Sequence, residues 1–149
     1  MTQEQKDLLL KDLSSRLFYK IKMGHIADTE GDSDTLTGIY EDSITLCSSG
    51  GFTFTYIEEY IPYLFPLSSM TEEQALELYK LFGIKLTDSI GWDYIKINEV
   101  TGITFFLRKG FDIETHLDKL IDWLLKNHFD FRGLIPMGLA KDATGLNIY

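Results

Sequence analysis

The stretch 35–56, TLTGIYEDSITLCSSGGFTFTY, decides the fold of this 149-residue chain. Two β-prone runs, 35–40 and 43–47, flank Glu41-Asp42, a pair typical of a hairpin turn. A Ser/Gly connection then leads to 52–56, where aromatic residues alternate with threonines in the strongest strand pattern of the chain. The sequence therefore predicts three strands in succession.

Helical patterns lie on both sides of these strands. Leucines at helical spacing predict a helix over 3–16, with a capping box at its start. A second capping pattern predicts that another helix begins near 69–71. A third helix, whose apolar face is the most regular, is predicted to run from Asp112 to Asn127.

Other segments complete the pattern. Alternation predicts a strand over 17–23 and a hairpin formed by 94–98 and 103–108. Two prolines predict an extended, aromatic-rich connector over 60–66. The tail, 128–149, is too rich in apolar residues for a frayed terminus, and we expect it to dock on the core.

The order helix, strands, helix, hairpin, helix lacks regular β-α alternation. The sequence therefore predicts an α+β fold in which a mostly antiparallel sheet packs with about three helices. A length of 149 residues is typical of one domain, and no long linker divides the chain. We expect a single domain spanning residues 1–149.

The charges are distributed unevenly. The formal net charge is −9, yet no Lys or Arg lies between Lys22 and Lys80, while that stretch, 23–79, carries eleven acids. We call 23–79 the acidic segment. Nucleic-acid binders need clustered cations against phosphates, and the longest basic run here is the pair Arg108-Lys109. The composition therefore disfavours direct nucleic-acid binding.

This imbalance favours a non-catalytic protein-interaction module that meets a basic partner, because a surface of one sign steers association and rejects like-charged molecules. The acids expected to contact the partner are Asp28, Glu30, Asp32, Asp34, Glu58 and Glu59. An acidic surface that serves only solubility is a second interpretation of the same charge. No catalytic residue and no cofactor is predicted.

The alternative function is a small ligand-binding domain or an enzyme built on His128, Asp130 and Arg132. If 128–132 formed a strand, these side chains would share one face and the intervening phenylalanines would anchor the other. Such a trio could bind a phosphate or carboxylate, or assist proton transfer. A structural interpretation is that an Asp-Arg pair ties down the tail while His128 caps the third helix.

Other kinds of site are disfavoured. The acidic loop that begins at Asp28 has Gly31 and Ile39 where a calcium-binding loop needs other residues, so no metal site is predicted. Cys47 is the single cysteine and has no local His to activate it. The chain also lacks a secretory signal pattern and a long apolar span, so we expect a cytoplasmic protein without a membrane segment.

The aromatic run 52–65 has two interpretations. Alternating aromatic residues on a strand are usually core residues or cross-strand pairs. The other interpretation is a partly exposed contact surface.

Two motifs carry a family resemblance, 62–71 (PYLFPLSSMT) and 128–135 (HFDFRGLI), the latter followed by Gly138-Leu139-Ala140. With the LLLKDL helix at 8–13, they make the chain similar to a group of small uncharacterised proteins of gut Bacteroidetes and their prophages. The resemblance implies a bacterial or phage origin and a cytoplasmic location. It carries over no activity, cofactor or functional residue.

Overall fold

The computed structural model describes residues 1–27, 33–81, 95–98, 102–105 and 117–149. The strands are β1 (Lys22–His25), β2 (Asp34–Tyr40), β3 (Ser43–Ser48), β4 (Gly51–Tyr56), β5 (Tyr60–Leu64), β6 (Ile95–Asn98), β7 (Gly102–Phe105) and β8 (Lys141–Asp142). The helices are α1 (Gln3–Arg16), α2 (Glu72–Leu81) and α3 (Leu117–Lys126), with 3-10 turns at Leu17–Tyr19, Ile57–Glu59 and Leu67–Ser69.

Six strands form one sheet in the order β4-β3-β2-β1-β5-β8. Every pairing in it is antiparallel except that of β5 with β8. Strands β6 and β7 pair as a separate antiparallel hairpin. The predicted α+β class with a mostly antiparallel sheet is confirmed.

Helix α1 forms where its capping box predicts. The Thr2 hydroxyl accepts from the Gln5 backbone N–H, and the Gln5 side chain accepts from the Thr2 N–H. The apolar side of the helix, which carries Leu9 and Leu13, shares one core with Ile44 and Leu46 of β3. Helix α1 therefore covers the inner face of the sheet and leaves the other face of β3 uncovered.

The predicted strand over 17–23 is wrong in its first half. Leu17–Tyr19 is a 3-10 turn, Lys20 adopts a left-handed conformation with φ 54°, and β1 begins only at Lys22. The strand continues through Gly24, where a Cβ would lie 2.6 Å from a ring carbon of Tyr63. Glycine allows β1 to pass beneath this buried ring.

The extended conformation predicted over 60–66 is confirmed for Tyr60–Leu64, but this stretch is the mostly buried strand β5 and not a connector. Pro62 lies opposite Met23 of β1. Proline argues against an interior strand, since it lacks an N–H for the ladder. Here β8 has only two residues and pairs with Tyr63 and Leu64, so Pro62 lies outside that second ladder.

The tail docks on the core, as predicted. Leu134, Leu139 and Ala140 belong to the same apolar cluster as α1 and β3. A second cluster joins Met70 and Leu78 to Trp123, Leu124 and Phe129. The predicted start of the third helix at Asp112 lies outside the described residues. In the part of the chain that the structure describes, no helix is long and apolar enough to span a membrane.

Candidate partner-binding face

Four large aromatic side chains project into solvent from the outer side of the sheet. They are Tyr40 of β2 (69% exposed) and Phe52, Phe54 and Tyr56 of β4 (75%, 66% and 62% exposed). We call these four residues the aromatic face. The two interpretations of the aromatic run 52–65 apply to different parts of it: the aromatic residues of β4 are exposed and are not core residues, whereas Tyr63 is buried.

The strand registers explain why the four side chains lie together. Tyr40 pairs with Ser43, and Ser43 pairs with Tyr56 on its other side. Because side chains alternate along a strand, these residues face away from the buried Ile44 and Leu46. The small side chains of β3 on this face leave the aromatic rings standing above the sheet.

A contact between two rings links β2 to β4 across β3. The Tyr40 and Phe54 rings are tilted by 58°, with centroids 6.4 Å apart. Gly38 of β2, Thr45 of β3 and Phe54 of β4 lie side by side across the three strands, and a Cβ at Gly38 would lie 3.3 Å from the Thr45 hydroxyl. Small residues therefore lie next to the exposed rings on this face.

The end of the sheet next to Tyr40 and Tyr56 is acidic. Glu41 and Asp42 form the turn after Tyr40, while Glu58 and Glu59 follow Tyr56 by a few residues, and all four are exposed. We call Glu41, Asp42, Glu58 and Glu59 the acidic end. Three of these four acids lie toward the α1 side: Asp42 and Glu58 contact Lys6, and Glu59 accepts a hydrogen bond from Thr55, whose side chain is on the face opposite the rings. The opposite end, where Ser48 pairs with Gly51, carries no charge.

Lys6 of α1 partly neutralises the acidic end. Its ammonium lies 2.7 Å from a Glu58 carboxylate oxygen and 3.2 Å from an Asp42 oxygen. The hydrogen bond to Glu58 raises the pKa of Lys6 above its ordinary value, and Asp42 adds to this effect. Among the described residues no ion pair joins Glu41 or Glu59 to a cation, so the acidic end keeps an excess of negative charge.

The acids predicted to bind a partner lie in different places. Glu58 and Glu59 belong to the acidic end, whereas Asp34 is half-buried at the far end of β2, opposite Met23. Asp28, Glu30 and Asp32 lie outside the described residues. The prediction did not include Glu41 and Asp42, although their position in a hairpin turn was itself a sign of exposure.

His128, Asp130 and Arg132 are close in sequence, but each side chain contacts different partners in the structure. No strand forms over 128–132: His128 has φ 58°, and Phe129 makes only an isolated parallel bridge to Phe65. The Asp130 carboxylate accepts hydrogen bonds of 2.8 Å from the backbone N–H groups of Leu134 and Ile135. Arg132 donates at 2.9 Å to Asp12 of α1.

Asp12 also pairs with Arg16, and both side chains are fully buried. Arg16 donates to both carboxylate oxygens of Asp12, at 2.6 and 3.2 Å, and to the backbone carbonyl of Phe129 at 2.7 Å. Arg132 closes the network from the tail and lies over the Phe131 ring. This network ties the C-terminal segment to the first helix.

The His128 imidazole stacks on the ring of Tyr149, with centroids 4.0 Å apart. Burial, together with the nearby positive charge of Arg16, lowers the pKa of His128 to about 4. The Tyr149 hydroxyl donates to the Tyr63 carbonyl at 2.6 Å and accepts from the Lys22 backbone N–H at 3.2 Å. Burial raises the pKa of Tyr149.

These contacts hold the tail on the core. Among the described residues, no contact joins the side chains of His128, Asp130 and Arg132 to one another. The ligand-binding alternative stays a prediction. Within the described ranges no group of three His, Cys, Asp or Glu side chains is arranged to hold a metal ion.

Comparison of the chain with protein-family models, curated proteins and solved structures finds no match.

Proposed function

We propose that this chain is a non-catalytic protein-interaction module that binds a basic partner through the aromatic face and the acidic end. One observation carries the proposal. A group of exposed aromatic rings extends to the end of the sheet that carries four exposed acids, within a segment that has no Lys or Arg between Lys22 and Lys80.

Exposed aromatic rings are unfavourable in water unless a partner covers them. Contiguous apolar surface on a soluble protein marks interaction sites, and aromatic residues dominate the binding energy of protein interfaces. The rings supply contact area, while the acids raise the rate of encounter with a basic molecule and select against acidic ones. A surface kept only for solubility would need the acids but not the rings.

The sequence resemblance favours a cytoplasmic module of a bacterium or of its prophage. The single cysteine, Cys47, is free, as is usual in a reducing compartment.

Binding to a defined basic probe tests the proposal. The probe is a fluorescent peptide of about eight residues that alternates lysine and valine, and the control probe replaces lysine with glutamate. Fluorescence anisotropy is measured from about 20 mM to about 500 mM salt. We expect the lysine peptide to bind and its affinity to fall by about tenfold or more as salt rises, with no binding of the glutamate peptide.

Paired charge variants locate the site. The double variant Glu41→Gln, Glu59→Gln removes two acids from the acidic end, and Glu73→Gln, Glu77→Gln removes two exposed acids of α2 within the same acidic segment. We expect only the first to weaken binding and flatten its salt dependence. Equal effects of the two variants, or no binding by the wild type, would contradict the proposed function.

A further inference from the structure

We infer that β4 binds an extended basic segment of the partner as an additional strand, so that the partner continues the sheet at its open edge. This inference rests on the proposed function and specifies the mode of binding. Strand β4 is the first in the order β4-β3-β2-β1-β5-β8, and among the described strands only β3 pairs with it.

The backbone of β4 offers hydrogen bonds at its open edge. Ser48 and Gly51 flank the two-residue turn Ser49-Gly50, so they form a hydrogen-bonded pair. In an antiparallel ladder such pairs alternate with pairs that make no mutual hydrogen bonds. On β4 the residues in pairs without mutual hydrogen bonds are Phe52, Phe54 and Tyr56. Their N–H and C=O groups therefore point away from β3.

The β2-β3 hairpin independently gives the same alternation of hydrogen-bonded and non-hydrogen-bonded pairs. Tyr40 and Ser43 flank the turn Glu41-Asp42, which makes them a hydrogen-bonded pair. The Ser43 backbone groups therefore point toward β2 and not toward Tyr56, its partner on β4. The three aromatic residues of β4 thus combine exposed rings with outward-facing backbone groups.

Strand β4 lacks the features that usually protect an edge. Natural sheets block exposed edges with Pro, Lys, inward-pointing charges or bulges. The β4 sequence GFTFTY has no proline and no charge, and its register with β3 is continuous over all six residues. The other edge of the sheet is β8, which has only two residues. An unprotected edge of six residues is a surface suited to strand addition.

Charge complementarity identifies the occupant as a basic segment. A strand added to β4 would run from the uncharged end at Gly51 to the acidic end, which begins near Tyr56. Apolar side chains of the partner would contact the Phe52 and Phe54 rings, and its Lys or Arg side chains beyond Tyr56 would lie nearest to Glu59, which follows β4, while Glu41 in the β2-β3 turn would attract them from farther away. A second copy of this chain fits less well, because each copy carries a net charge of −9 and brings no cation on its own β4.

A peptide without backbone donors separates this inference from the proposed function. The probe is the lysine-valine peptide methylated at every peptide nitrogen. Methylation keeps the lysine and valine side chains and the positive charge. We expect its affinity to be about tenfold or more below that of the unmethylated peptide, since an added strand needs its N–H groups. Equal affinity would overturn strand addition and leave the proposed function in place. Failure of both probes to bind would overturn both.

A pair of protein variants tests the same inference from the other side. Phe54→Ala and Phe54→Pro both remove the ring, but only the proline variant also removes the outward N–H, at a position where the β3 ladder does not use it. We expect Phe54→Pro to bind the unmethylated peptide at least about fivefold more weakly than Phe54→Ala does. Equal binding by the two variants would overturn the inference, as would a wild-type dimer in sedimentation that Phe54→Pro alone converts to monomer.

Discussion

The ring of Tyr40 in β2 lies against the ring of Phe54 in β4, with centroids 6.4 Å apart, although β3 separates the two strands. The contact crosses β3 diagonally, because Tyr40 is paired with Ser43 whereas Phe54 is paired with Thr45. It gathers aromatic side chains from two strands into one exposed face instead of burying them. The proposed function depends on this arrangement, because rings held in place lose little freedom when a partner binds.

The exposed position of Phe54 predicts a small effect on stability. Phe54→Thr keeps a residue suited to strands, and we expect the free energy of unfolding to change by less than about 1 kcal/mol. Leu46→Ala, on the buried side of the adjacent strand, is the comparison and should cost about 2–5 kcal/mol. Urea unfolding measures both. A loss for Phe54→Thr as large as that for Leu46→Ala would mean that this ring is part of the core.

The buried ion network of Asp12 and Arg16 predicts a large effect. Asp12→Ala leaves Arg16 buried without its carboxylate partner, and we expect a loss of about 3–5 kcal/mol in the free energy of unfolding. Asp7→Ala, on an exposed position of the same helix, should cost less than about 1 kcal/mol. Chemical denaturation compares the two variants. Similar small losses would show that the network does not hold the tail to α1.

His128 predicts a pH dependence of stability. Its pKa is lowered to about 4 in the folded chain, so between about pH 6.5 and pH 4 the unfolded chain binds the extra proton and the folded chain does not. The free energy of unfolding should therefore fall as pH falls through this window, with the loss complete below about pH 4. We expect about 1–2 kcal/mol from this group, since solvent screens a half-buried imidazole.

The control for that titration is His128→Asn, because asparagine tolerates the positive φ of 58° at this position and does not titrate. Carboxylates titrate in both proteins, so the difference between the two pH profiles isolates His128. Parallel profiles from pH 7 to pH 4 would contradict the assignment.

Gly24 predicts a packing effect. A Cβ at this position would lie 2.6 Å from the buried Tyr63 ring, so Gly24→Ala should cost about 1–3 kcal/mol through displacement of β1 or of the ring. Gly38→Ala is the matched variant, since its Cβ would meet the end of the Thr45 side chain at 3.3 Å, and we expect a loss below about 1 kcal/mol. Thermal unfolding of both variants checks the order; equal losses would contradict it.

The sequence predicts local features of this fold well. The capping box of Thr2 and Gln5, the hairpin turn at Glu41-Asp42 and the alternation of β4 each depend on residues a few positions apart. The docking of the tail follows from its apolar content. Pairings between distant segments could not be predicted in this way, and the two prolines of 60–66 indicate a connector although Tyr60–Leu64 pairs with β1 and β8.

Alternation also cannot tell which face of a strand is covered. The pattern of β4 places Phe52, Phe54 and Tyr56 on one face, but only the position of α1 decides that this face is open. The trio of His128, Asp130 and Arg132 illustrates the same limit. Their distinct partners, such as Asp12, lie more than a hundred residues away.

The central claim is that a basic extended segment binds the aromatic face and the acidic end. Backbone amide chemical shifts of the labelled protein, followed by NMR during titration with the unmethylated lysine-valine peptide, test it most directly. We predict that the shift changes concentrate at 40–43 and 51–59 and diminish at high salt. Changes concentrated instead around 128–149, or spread evenly over the chain, would contradict the claim.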